Sequence, residues 1–308
     1  MGEAAALIAA LTWAGTSVAM ASLSARVTPV AMSALRLSVA SLLLPLALLL
    51  SGQTGAVADA PAGAIWAMIG SGILAYALGD TLYIAALKSL GVQRAFTVSM
   101  TLFILLSVAG GIVLLDEEFH WYQIVGSAFV GAGILLIVRG RSSSTPAGAG
   151  RNAIEPSVHR RRLLRLVGAG GYGAVIAVAI LWAAATLWLA HGRGDLPSIA
   201  AATLRTPAGA LCMLAYAGIA ARADLAAPFR SRRDLAAIAL VGLIGTAFGS
   251  LLYVYAVGEA GPGKTTVLSA AAPLMALPLS FVVLRETITR QVVAGTVLAV
   301  CGIVLVVV

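Results

Sequence analysis

Apolar residues run on in this chain for about twenty positions at a time, broken by short polar punctuation. A bilayer core of roughly 30 Å needs about 20 apolar residues per helix. Ten runs meet that length: 4–24, 30–50, 64–87, 93–115, 120–138, 167–190, 197–220, 235–257, 264–284 and 289–308. The first has no Lys or Arg ahead of it and no small-residue cleavage site, so it is expected to be a retained helix rather than a signal peptide. Tight connections such as Asp116 to Phe119 predict antiparallel neighbours. The pattern predicts an all-α integral membrane protein of ten transmembrane helices.

The runs divide into two sets of five. Between Arg139 and Arg165 the chain turns basic and rich in Pro, Gly and Ser, from Arg141 to Pro146 and then Arg160 to Arg162. Residues 140–166 therefore read as a flexible linker between a first unit, 1–139, and a second, 167–308. The units repeat each other. Trp13 and Arg36 match Trp182 and Arg205; Tyr83 and Gly91 match Tyr253 and Gly261; Glu117, Gly126 and Gly133 match Glu286, Gly295 and Gly302. The offset stays at 169 or 170 residues throughout. Five helices per unit is an odd number, so the second unit enters the membrane from the opposite face, giving two inverted five-helix repeats.

Composition removes the soluble alternative. The chain is 60% hydrophobic and 10% charged, with a mean hydropathy of +1.00, against about 25% charged residues in a soluble domain. The net charge of +8 is a topology signal rather than a mark of nucleic-acid binding. Arg26, Lys88, Arg94, the linker arginines, Arg222, Arg230, Arg232, Arg233, Arg285 and Arg290 follow odd-numbered helices, and only Arg193 and Lys264 follow even ones. The positive-inside rule then places the linker in the cytoplasm and both termini outside. Cys212 and Cys301 lie in apolar runs as small hydrophobes. With the histidines scattered beside loops, no metal and no cofactor are implied.

The chemical lead is Asp80, a carboxylate inside an apolar helix. Facing lipid it costs roughly 2.5–3.5 kcal/mol, so it is expected to face the bundle interior. Tyr76 and Tyr83 share its helical face. Asp80 is either a cavity residue that binds a cationic group or carries a proton, or a structural carboxylate tied to Lys88, Arg94 or a hydroxyl. The repeat aligns it with Ser250, in a stripe with Thr246 and Tyr253. Thr97 and Thr101 on helix 4 and Thr266 and Ser269 on helix 9 extend the polar set, so helices 3, 4, 8 and 9 are expected to line a central cavity. Pro273 and Pro278 should kink helix 9. Trp13 and Trp182 lie mid-span, where they either line the cavity or simply pack. Arg36 and Arg205 sit a little over one turn inside helices 2 and 7, near the cytoplasmic side, and snorkelling accounts for both; anion binding is the alternative. Gly258 to Thr265 fits the phosphate-loop pattern GxxxxGK[ST], but two membrane-length runs flank it, so it reads as a glycine-rich hairpin. The helix 5 and helix 10 glycines permit close contacts, within the chain or in a homodimer.

Taken together, Trp13, Pro29 to Arg36, the Tyr83 to Ala95 hairpin and Glu117 to Gly133 look like one EamA unit. Trp182, Arg205, Tyr253 to Pro273 and Leu284 to Gly302 look like another. The chain resembles a ten-helix member of the drug/metabolite transporter superfamily, over nearly all its length except the linker. The resemblance implies a bacterial inner-membrane carrier that exports amino acids or other metabolites by alternating access. Small four-helix relatives use a helix-1 glutamate for proton exchange; here only Glu3, at the outer edge, stands in helix 1, and Asp80 is the nearest substitute. The site set expected from this reading is Asp80, Tyr76, Tyr83, Trp13, Thr97, Trp182, Ser250, Tyr253 and Ser269, acting on a small-molecule substrate with proton coupling through Asp80. A non-transporting membrane scaffold on the same repeat is the rival. A membrane enzyme ranks third, for want of a reactive constellation. The charge bias makes a topology prediction: a periplasm-active reporter fused after Val308 is expected to be active, and the same reporter placed in the linker silent.

Overall fold

The computed structural model describes residues 1–139 apart from Ala25 and Phe119, and residues 171–307 apart from Pro273, Leu277 and 280–288; the side chains of Lys88, 91–94, Thr97, 137–139, Val292 and Val307 also lie outside the description. All regular structure among the described residues is helical. In chain order, leaving aside the short turns Gly55–Ala58, Arg222–Ala226 and Ala227–Arg230, the helices are α1 (Gly2–Leu23), α2 (Pro29–Leu50), α3 (Ala62–Leu87), α4 (Val98–Leu115), α5 (Trp121–Arg139), α6 (Tyr172–Gly192), α7 (Ser198–Ala220), α8 (Arg232–Ala260), α9 (Pro262–Ser269) and α10 (Arg290–Val307). Seven of them are long and apolar enough to cross a membrane, and α5 and α10 contain shorter apolar stretches. Of the run expected at 264–284, the structure describes α9 and scattered positions beyond it. The linker, 140–166, lies outside the described residues.

Backbone hydrogen bonding is helical without a break from Asp80 to Leu115, yet this stretch is not one rod. The rings of Tyr83 and Phe96 are 5.7 Å apart, and Tyr83 and Phe103 both pack on Trp182, at 5.2 and 5.9 Å. Thirteen residues of straight helix would separate the first pair by roughly 20 Å. The chain therefore reverses between Tyr83 and Phe96, and α3 and α4 form a hairpin.

The two halves interlock through symmetric crossings. A seven-residue π-helical segment, Ile73–Gly79, interrupts α3 just before Asp80, and another, Gly242–Phe248, interrupts α8 just before Gly249 and Ser250. Each crossing is held open by a glycine. A Cβ on Gly242 would lie 2.6 Å from the carbonyl oxygen of Arg36, and one on Gly72 would strike the carbonyl oxygen of Arg205. The loop carrying the phosphate-loop pattern also crosses between halves. Gly261 adopts φ +79°, α9 begins at Pro262, and the Gly263 N–H donates to both carboxylate oxygens of Glu117, at 3.0 and 3.3 Å. An anion does sit at this helix N-terminus, as the dipole favours, but it belongs to the chain itself. Burial pushes the Glu117 carboxyl above the usual carboxylate range, although the Gly263 and Lys264 backbone donors pull it down.

Helix α9 stops at Ser269, four residues before Pro273; a proline ring collides with the carbonyl four residues earlier and withholds its own donor. The small residues of α5 and α10 meet within the chain: a Cβ on Gly126 would lie 2.7 Å from the Gly302 carbonyl, and one on Gly133 would lie 2.7 Å from the Ala299 backbone nitrogen.

Gly72→Ala is expected to cost about 1–3 kcal/mol by overpacking. Gly15→Ala, where an added carbon meets nothing within 4 Å, is expected to leave stability unchanged or raise it. Unfolding midpoints of the two variants in mixed micelles check this.

Candidate functional site

The Asp80 helix puts its carboxylate where α2 and α6 converge. Arg36 of α2 donates to Asp80 through Nη2, forming an ion pair, and through Nη1 to the Thr246 hydroxyl at 2.8 Å. The Trp182 indole N–H donates to the other carboxylate oxygen at 2.9 Å. Both half-chains thus hold one acid: Arg36 from the first and Trp182 from the second, with Thr246 of the second bracing Arg36. Arg36 is 5% exposed, and the Asp80 side chain 18%. A pair this desolvated is tolerated because the two charges face each other and each makes a further hydrogen bond, while the Arg36 Nε is buried without a partner among the described residues.

These residues wall a cavity of about 100 Å³. Its lining comes from α1, α2, α3, α4, α6, α7 and α8, and from Phe96 just ahead of α4, so both halves contribute. The walls obey the repeat. Trp182 packs on Tyr83 at 5.2 Å, and Trp13 packs on Tyr253 at 5.1 Å. Tyr83 donates to Ser17 at 3.3 Å, and the Tyr253 and Thr186 hydroxyls share a hydrogen bond of 2.9 Å. Each ring couple joins one half to the other, and each hydroxyl pair ties a cavity tyrosine to its own half.

Arg205 of α7 is the repeat partner of Arg36. It is 2% exposed, lies 5.2 Å from the Tyr76 ring centroid as a cation–π pair, and donates through Nε to Ser71 at 2.9 Å. Tyr76 is the repeat partner of Thr246, so the second arginine reaches across the cavity as the first does. Arg205 contacts α3 near Ser71 and Tyr76, whereas Arg36 meets it at Asp80. The two guanidiniums therefore stand at different depths, roughly 10 Å apart along α3.

A sequence model of the EamA-like transporter family matches residues 1–139 and 169–308. The chain belongs to the EamA-like transporter family. Among solved structures, 28 chains resemble it. One crystal structure of a protein superposes with a TM-score of 0.75 over 99% of this chain and 94% of that one, at 20% identity, a likeness of fold. No curated protein matches the chain in sequence.

Within this transporter, Asp80, Tyr76, Tyr83, Trp13, Trp182, Ser250 and Tyr253 all stand in the cavity wall. Ser269 is fully buried but does not line it, and the side chain of Thr97 lies outside the described residues. No described part of α9 reaches the cavity. The largest departure concerns the arginines. Snorkelling fails for both: Arg36 and Arg205 are buried cavity residues, each seven positions into its helix, roughly 10 Å from its start. Because the halves are inverted, they are not both near the cytoplasmic face. Two arginines at one repeat offset inside apolar runs were the signal for them. Asp80, for its part, pairs with Arg36; the side chains of Lys88 and Arg94 lie outside the described residues.

Asp80→Ala is expected to cost about 3–5 kcal/mol by stranding Arg36. The double variant Arg36→Met, Asp80→Leu should lose much less than the two single losses together. A double-mutant cycle on unfolding free energies in micelles measures the difference; an Asp80→Ala midpoint equal to the wild type would show that the pair does not hold the crossing.

Proposed function

We propose that this cavity is the substrate site of a secondary transporter that exports a small metabolite, an amino acid or related compound, across the cell inner membrane by alternating access. The observation that carries the reading is the cavity's position at the seam of an inverted repeat, walled by matching residues of both halves. Carriers built on such repeats bind substrate there and expose it by rocking one half against the other. The Trp182–Tyr83 and Trp13–Tyr253 couples, each bridging the halves, are suited to act as two gates that open in turn. The charge bias supports a cytoplasmic linker and external termini, with the substrate drawn from the cytoplasm.

Proton coupling through Asp80, the only acid in the lining among the described residues, belongs to the same proposal. A carboxylate held by Arg36 must be released or protonated if that contact opens during the cycle, which ties its proton to the conformational change. The test compares metabolites outside cells expressing the wild type, Asp80→Asn or an empty vector, at two external pH values, with equal protein in the membrane. The wild type is expected to raise at least one small metabolite in a pH-dependent way, and Asp80→Asn to abolish that rise. Wild-type cells that match the empty vector for every metabolite would sink export.

A further inference from the structure

The symmetry of the cavity is broken at one position. Arg36 has Asp80, in the first half; Arg205 has Ser250 at the corresponding place in the second. No carboxylate pairs with Arg205 among the described residues. Its Nη1 is buried and without a partner, while its Nε bonds Ser71 and its face covers Tyr76. The neighbouring donor is also repeated. The Trp182 indole N–H that serves Asp80 lies close beside Gly79, and the Trp13 indole N–H lies close beside Gly249, next to Ser250. Trp13 now donates to the Gly245 carbonyl at 3.2 Å. A frame that holds a carboxylate on one side is thus rebuilt on the other with the carboxylate left out.

The charges agree. Among the described residues, two guanidiniums and one carboxylate line the cavity, so this lining carries one excess positive charge, which is costly to leave uncompensated away from water. A single negative charge brings the cavity to neutrality, and a doubly charged group overshoots. Beside Arg205, the rings of Trp13, Tyr76 and Tyr253 offer apolar surface.

We propose that Arg205 is the anion subsite of the transport cavity, and that a monocarboxylate substrate with an apolar body sets its carboxylate beside Ser250, where symmetry with Asp80 calls for one. This rests on reading the cavity as the transport site. Arg205 anchors the carboxylate through Nη1, and the Trp13 indole N–H is the second donor.

The experiment uses the purified full-length chain in detergent micelles and reads its melting temperature by light scattering. The probes are butyrate, phenylacetate and 3-phenylpropionate, each beside its primary amide at equal concentration. At least one acid is expected to raise the melting temperature, with its amide inert. Arg205→Gln should lose acid affinity by about tenfold or more. Ser250→Asp, which supplies the missing carboxylate internally, should melt above the wild type without ligand and lose the response to acid. No acid exceeding its amide, a Ser250→Asp chain that responds like the wild type, or one that melts below it, each overturns the subsite. Proteoliposomes score the transport reading separately. Flux with no preference of acid over amide removes the subsite and leaves transport standing; acid-selective binding without flux does the reverse.

Discussion

A guanidinium inside a bilayer must find its counter-charge within the protein, and this fold is arranged around that demand. The Arg36–Asp80 pair joins α2 to α3, and the Trp182 and Thr246 hydrogen bonds carry the same cluster into the second half. Water does not screen such a cluster as it would at a surface, so its geometry matters more than at an exposed pair. The π segment ahead of Asp80 and the bare glycine at the α3–α7 crossing let helices come close enough for polar groups of both halves to meet.

The scaffold was legible because its signal is redundant. Run length marks each helix independently, and a constant offset ties Trp13 to Trp182 and Tyr83 to Tyr253 without any knowledge of contacts. The cavity's aromatic wall followed from those same pairs. The arginines were not legible in the same way. Depth along a helix decides between snorkelling and burial, and the run ends were uncertain by about a turn, which is the whole length of an arginine's reach. Their partners lie far off in sequence: Thr246 for Arg36, Ser71 and Tyr76 for Arg205. Ser269 illustrates a different limit. Reading it as a cavity residue rested on its hydroxyl alone, and burial without lining the cavity is decided by packing that one residue type does not reveal.

The phosphate-loop pattern carries a related lesson. Glycine turns before helix N-termini attract anions whatever the fold, because orphan N–H groups point the same way. Here Glu117 meets that attraction from the other half of the chain. The pattern marked a true physical tendency, and the tertiary structure decided which anion would satisfy it.

The glycine contacts of α5 and α10 have a mechanical meaning. Gly126 and Gly302 bring the backbones of the two halves together with no side chain between them. Side chains in an interface act as bearings that can change rotamer and let helices slip; bare backbone has none, and dense packing resists continuous shear. The α5–α10 contact is therefore an axle. Relative motion of the halves must turn about it rather than slide across it, and displacement grows with distance from that line.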